Sequence, residues 1–85
     1  MTLPTIHMNG TNARDLLEDN CKASSAIQAA IRALQNAGPH SRDFYPQGPQ
    51  AMRAAQEEHE SRLERLAGVL AELYEMAVCI AERLP

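Results

Sequence analysis

The residues best suited to binding a ligand lie close together in one stretch, "SRDFYPQGP", at residues 41–49. Arg42 offers a planar guanidinium whose five donors suit a phosphate or a carboxylate. Phe44, the only Phe in the chain, and Tyr45 offer flat faces that stack on a base or anchor a partner protein. Gln47 adds an amide that can pair with the polar edge of a base. The alternative is structural: both aromatic side chains plug the open end of a helical hairpin.

A second candidate site lies near the amino terminus, where His7, Asn9, Thr11 and Arg14 surround a turn that leads into a helix. The free amides at a helix N-terminus favour an anion, although the same residues also suit a simple capping turn. A helix of about 25 residues spans ~38 Å and separates this cluster from the loop. The two clusters therefore form one site only across the subunits of an antiparallel assembly.

His59 and Gln56 on the second helix form a third polar group. A histidine on a packed helix face is more often a satisfied core or interface residue than a ligand, and it can also set the register. The segment "EEHESR" lacks the second His of the HExxH pattern, and Glu58 and Arg62 have the spacing of an i,i+4 ion pair. Neither a nucleophile elbow nor a phosphate-binding Gly loop is present. We therefore expect no catalysis, no metal and no cofactor.

Composition restricts the class of protein further. A chain of 85 residues makes one small domain, here residues 1–85, and its net charge of -3 argues against binding nucleic-acid polymers or anionic membranes. There is no signal-peptide pattern and no run of ~18 apolar residues, which predicts a cytoplasmic protein. Cys21 and Cys79 lack a CxxC or zinc spacing, and we expect both to be buried, unpaired thiols.

The pattern of apolar residues predicts an all-α fold, a long antiparallel helical hairpin. Its expected elements are a short extended N-terminal segment at 1–11, helices at about 13–37 and 49–83, and a connecting loop at 38–48. Helix ends are indicated by Asn12 as an N-cap, by Gly38-Pro39 after the first helix and by Gly48-Pro49 before the second.

The second helix carries a stripe with the alternating 4–3 spacing of a heptad seam. Its members are Met52, Gln56, His59, Leu63, Leu66, Leu70, Leu73, Ala77, Ile80 and Leu84. A short turn would place Ala37 near Pro49 and Ile27 opposite His59, leaving the second helix to overhang the first at its C-terminal end. Leu3, Ile6 and Met8, or another subunit, would cover that overhang.

A hairpin of two helices buries only one face of each helix, so we expect a homo-oligomer, a dimer or larger. The apolar face of the second helix broadens after residue 69, beyond what one partner helix can cover. This places the expected oligomer interface at Val69, Leu73, Met76 and Ile80.

Two motifs together resemble a known family. "IHMNGT", residues 6–11, precedes the first helix, and "PHSRDFYPQG", residues 39–48, joins it to the longer helix. This pairing resembles the hairpin domain of phage anti-defence sponges of the anti-Thoeris and anti-CBASS type. The resemblance implies a non-enzymatic oligomer that sequesters a cyclic nucleotide signal in pockets between subunits, in the host cytoplasm if the chain is phage-encoded. Arg42, Asp43 and the aromatic pair match the loop motif, and Asn9 and Thr11 match the N-terminal motif.

Two other functions fit the same residues. In the first, the chain is a protein–protein inhibitor or adaptor that anchors on a host protein through Phe44 and Tyr45. In the second, it is a structural oligomer or assembly factor in which the loop is a plug. Binding of a cyclic nucleotide distinguishes the sponge from both.

Overall fold

Two long helices form the protein, and the computed structural model describes residues 1–85. Helix α1 comprises Ala13–Asn36 and helix α2 comprises Pro49–Ala81, with no strand. They pack against each other as a hairpin in a rod of 61 × 20 × 18 Å. The predicted all-α hairpin is confirmed, with helix bounds within two residues of those expected.

The helices begin and end where local signals predict. The Asn12 side chain caps α1: its Oδ1 accepts a hydrogen bond from the backbone N–H of Asp15 at 2.9 Å. Gly38, with φ of 119°, follows α1, and Gly48, with φ of 99°, precedes Pro49 at the start of α2. Both φ values lie in the region that favours glycine, so these two residues fix the limits of the loop.

Replacing Gly38 with Ala is expected to lower the free energy of unfolding by about 1–2 kcal/mol, because an L-residue is strained at positive φ. A Cβ there would also lie 3.2 Å from the backbone N of His40. Gly68→Ala is the matched control, since a Cβ at Gly68 has no neighbour within 4 Å. It should raise helix stability by about 0.5–1 kcal/mol. Urea denaturation measures the free energy of unfolding of both variants. Equal changes in the two variants would contradict the positive φ assigned to Gly38.

The register of the hairpin differs from the prediction. His59 lines a cleft together with Ala37 and Gly38, so it does not face Ile27, which lies ten residues earlier than Ala37. At the other end, Leu16 and Ile80 line one cavity. Between them, the Asn20 side chain donates a hydrogen bond to the carbonyl of Leu73 at 2.7 Å.

The path of the loop explains this shift. Residues 38–48 do not turn tightly; they form two short 3-10 turns, Ser41–Asp43 and Tyr45–Gln47. The second turn contacts α2, and His40, Asp43 and Phe44 line a cleft together with residues 55–62 of α2. The part of α2 before His59 therefore projects beyond the end of α1. The overhang lies at the loop end of the hairpin, and its predicted position at the C-terminal end of α2 is wrong.

The N-terminal segment packs across the opposite end. Thr2, Leu3 and Pro4 line a cavity of about 400 Å³ with Leu16 and Ile80. Leu3 thus contacts the region where we expected it. Met8 does not, since 97% of it is exposed.

Very little of the chain is buried. Only four of the 85 residues are: Ala13, Asn20, Ser24 and Ile80. Two of the four are polar, and both, Asn20 and Ser24, lie in the first half of α1. The predicted stripe of α2 is mostly half-buried. It differs from the prediction at Gln56, which is exposed, whereas the neighbouring Ala55 is half-buried. Cys21 is exposed, so its predicted burial is wrong, and both cysteines are free.

Replacing Ser24 with Ala is expected to stabilise the chain by about 1 kcal/mol. The Ser24 hydroxyl oxygen is buried without a hydrogen-bond partner, and an unsatisfied buried polar group is costly. Ser25→Ala is the matched control, because Ser25 is exposed and the change should be within about 0.5 kcal/mol. A loss of stability in the Ser24 variant on urea denaturation would show that the hydroxyl has a partner.

Candidate ligand-binding cleft

The loop presents its two aromatic residues to different surroundings. The Phe44 N–H donates to the Ser41 carbonyl, and the Gln47 N–H donates to the Phe44 carbonyl, both at 3.0 Å. In such 3-10 turns successive side chains point about 120° apart, so neighbours cannot share a face. Phe44 is half-buried against the hairpin, whereas 75% of Tyr45 is exposed.

Phe44 lines a cleft of about 420 Å³ between the loop and α2. The volume lies within the range of small-molecule sites in proteins. The polar side chains around it are His40, Asp43, Glu58, His59 and Arg62. Leu34, Ala37 and Ala55 supply apolar surface. The cleft therefore combines one aromatic ring with two imidazoles, one guanidinium and two carboxylates.

Arg62 is the strongest donor in this group. Its Nη2 lies 4.0 Å from Oε2 of Glu58, which confirms the predicted i,i+4 pair. Both side chains are largely exposed, and such pairs contribute little, so the guanidinium can bind a ligand anion. Arg62 also borders a second hollow of about 280 Å³ with Arg65 and Leu66. Two guanidiniums thus flank one apolar stretch of α2.

No group of three His, Cys, Asp or Glu side chains is placed to hold a metal ion. What the cleft offers is hydrogen bonding, charge and an aromatic surface. These suit recognition of a polar molecule that contains a planar ring.

The loop residues predicted to bind a ligand are divided by the structure. Phe44 lines the cleft, whereas Arg42, Tyr45 and Gln47 are exposed and do not line it. Sequence reasoning missed His40 and Arg62 as cleft residues. Arg62 could have been found only with the correct register, since the loop packs against α2 ten residues further along than expected.

The second predicted cluster lies at the far end of α1. His7, Asn9, Thr11 and Arg14 are all exposed, and the Gly10 N–H donates to the His7 carbonyl at 3.2 Å to close a turn. The imidazole of His7 lies over Gly10, where a Cβ would be 2.8 Å from Nε2. Within one chain this turn does not meet the cleft.

No protein-family model, curated protein or solved structure matches this chain. Neither helix combines the length and the apolar composition needed to cross a bilayer.

Proposed function

We propose that this chain is a non-enzymatic binding protein that sequesters a cyclic nucleotide signal. The phage sponges, whose motifs those of this chain resemble, act in the same way. The observation that carries the proposal is the position of Phe44, whose ring lines the same cleft as Arg62 and two imidazoles. A nucleotide needs a stacking surface for its base and donors for its phosphate, and the cleft has both.

The cleft residues divide naturally between the parts of such a ligand. Phe44 stacks on a base, and Arg62 binds a phosphate with its planar donors. His40 and His59 donate hydrogen bonds to the remaining phosphate or carbonyl oxygens. The carboxylates of Asp43 and Glu58 accept hydrogen bonds from the ribose hydroxyl or the base amine.

Assembly into an oligomer completes the site in this proposal, because the cleft is open on one side in the single chain. The chain exposes 6232 Å², about 1,200 Å² more than the ~5,000 Å² expected of a compact monomer of its mass. Its radius of gyration of 18.5 Å likewise exceeds the ~12 Å of a compact domain of this length. A second subunit would close the open side of the cleft.

A thermal-shift panel tests the proposal. The panel contains cyclic dinucleotides, cyclic trinucleotides and cyclic ADP-ribose isomers, with linear mononucleotides as controls. A ligand present at 100 times its Kd should stabilise the chain by ~2.7 kcal/mol and raise the melting temperature. A panel in which no cyclic nucleotide changes the melting temperature would overturn the proposal.

The second candidate function is that of a protein-binding adaptor, and the exposure of Tyr45 favours it. An aromatic side chain that is 75% exposed at the tip of a loop is a typical anchor for a partner protein. Tyr45→Ala should then abolish capture of a host protein while leaving any nucleotide binding by the cleft within about threefold. If the chain is a sponge and not an adaptor, the Tyr45→Ala variant should capture the same set of proteins as the wild-type chain.

A further inference from the structure

The two helices meet along seams of the same heptad spacing, and every member of both seams is buried or half-buried. The α1 seam consists of Ala13, Leu17, Asn20, Ser24, Ile27, Ile31 and Leu34, and the α2 seam of Leu63, Leu66, Leu70, Leu73, Ala77 and Ile80. Such a repeat matches itself after seven residues, so a shift of one heptad, ~10 Å, again places apolar side chains against apolar side chains. The spacing alone therefore permits more than one register.

The connecting loop does not select the register either. Residues 37–48 separate the helices, whereas about 2–5 residues are enough to join two antiparallel helices. A shift that brings Asn36, the end of α1, nearer to Pro49 shortens the span that these residues must cross. The chain can reach that shifted register, so a contact between the helices must exclude it.

Asn20 makes the one buried hydrogen bond between the two helices. It is 8% exposed, and its side-chain amide donates to the carbonyl of Leu73 at 2.7 Å. Ser24, the other polar member of the α1 seam, is buried without a partner. The hydrogen bond from Gln28 to the Tyr74 hydroxyl lies at the surface, where water competes for both groups. Asn20 is thus the buried polar group whose pairing requires one particular position of α2.

Ala77 explains why Asn20 reaches this carbonyl. In a helix the side chain of residue i+4 lies over the carbonyl of residue i, so the Leu73 carbonyl is covered by a single methyl group. Ala77 is the only small residue of the α2 seam. After the shift, Asn20 would face the Leu66 carbonyl, which the larger Leu70 covers. A buried amide left without an acceptor would disfavour the shifted register by roughly 5- to 150-fold.

We propose that Asn20 and Ala77 act together as a register pair that selects one alignment of the hairpin, and that they are thereby positioning residues of the cleft. The cleft needs this alignment because Leu34 on α1 and His59 and Arg62 on α2 form its walls. A shift of one heptad would move Leu34 by ~10 Å along α2 and separate those walls. The register is a property of the hairpin alone, and only its consequence for binding rests on the proposed function.

Distances between spin labels measure the register directly. The labels are attached at Ser25→Cys and Arg53→Cys in a Cys21→Ser, Cys79→Ser background, because Ser25 and Arg53 are exposed. Double electron–electron resonance is recorded without nucleotide, and excess unlabelled chain removes distances between molecules. The otherwise wild-type chain should give a single distance. A shift of α1 by one heptad toward the start of α2 should shorten it by up to ~10 Å.

The Asn20→Leu variant should show this shorter distance in a second population while its helical circular dichroism is kept. Ser24→Ala is the matched control: it removes a buried hydroxyl that has no partner, so it should keep the single distance. An unchanged single distance in Asn20→Leu overturns the inference. Loss of the helical signal in Asn20→Leu also overturns it, because Asn20 would then be needed for folding and not for the choice between registers.

Moving the register pair by one heptad is the second test. Ile27 and Leu70 lie seven residues from Asn20 and Ala77 on their respective helices, so the two pairs share one register. The Asn20→Leu, Ala77→Leu variant should show both distances. Adding Ile27→Asn and Leu70→Ala should restore the single wild-type distance. A mixture of distances, or loss of the helical signal, in the variant with the moved pair overturns the inference.

Nucleotide binding by the same variants is a separate readout. It is measured by calorimetry with the cyclic nucleotide that gives the largest thermal shift. The apparent affinity of Asn20→Leu should fall in proportion to the population that keeps the wild-type distance. Unchanged affinity in a chain that is mostly shifted would show that Asn20 does not position the cleft. If no nucleotide binds the wild-type chain, the proposed function fails, and the spin-label distances still decide the register.

Discussion

Replacing Arg62 with Ala is expected to weaken cyclic nucleotide binding by roughly 30-fold. A hydrogen bond from a guanidinium to a phosphate contributes about 2 kcal/mol, and 1.4 kcal/mol corresponds to a tenfold change in Kd. The only ion-pair partner of Arg62 is Glu58, which lies 4.0 Å away, and both side chains are largely exposed. Removal of the Arg62 side chain should therefore scarcely change the free energy of unfolding. Isothermal titration calorimetry measures the change in Kd.

The matched control for this experiment is Arg53→Ala. Arg53 is exposed on the same helix, makes no ion pair and does not line the cleft, so its loss should change Kd less than threefold. The Arg42→Ala variant separates two positions for the phosphate. If Arg42→Ala abolishes binding and Arg62→Ala does not, the ligand lies on the outer surface of the loop and the cleft assignment is wrong.

Replacing Ile80 with Ala is expected to cost about 2–4 kcal/mol of stability, the typical range for a large aliphatic side chain in a core. Ile80 is 2% exposed and is the largest fully buried side chain of the protein. A chain of this size has a free energy of unfolding of about 4–13 kcal/mol, so the variant should lose much of its cooperative melting transition.

Val69→Ala is the control for the Ile80 variant. Val69 is exposed on the same helix, and its truncation should change stability by less than about 0.5 kcal/mol. Thermal and urea denaturation followed by circular dichroism give both values. A small effect at Ile80, equal to that at Val69, would mean that the end of α2 is not held against Leu16 and the N-terminal segment.

The fold could be predicted where short-range signals determine it. Asn12 with Asp15 marks the start of α1, and the two Gly-Pro pairs mark the loop, because capping and positive φ depend only on neighbouring residues. The register could not be predicted in this way. It depends on whether the loop crosses the end of α2 or packs along it, and that is decided by contacts between residues distant in sequence.

The candidate site illustrates the same limit. The sequence draws attention to the loop, but which of Phe44 and Tyr45 lines the cleft depends on the geometry of two 3-10 turns. Arg62 and His59 come into the site only through the register. The predicted interface residues also divide: Ile80 is buried within the chain, Leu73 and Met76 are half-buried, and only Val69 is exposed. Burial within one chain and burial between chains produce the same apolar pattern in a sequence.

Recovery of the ligand tests sequestration without catalysis most directly. The purified protein is incubated with the cyclic nucleotide that gives the largest thermal shift, separated from free ligand by gel filtration, and denatured by heat. Chromatography then identifies the released molecule. The account predicts that the cyclic nucleotide co-elutes with the protein and is recovered intact after overnight incubation. Recovery of a linear or hydrolysed product, or no nucleotide in the protein fraction, would contradict it.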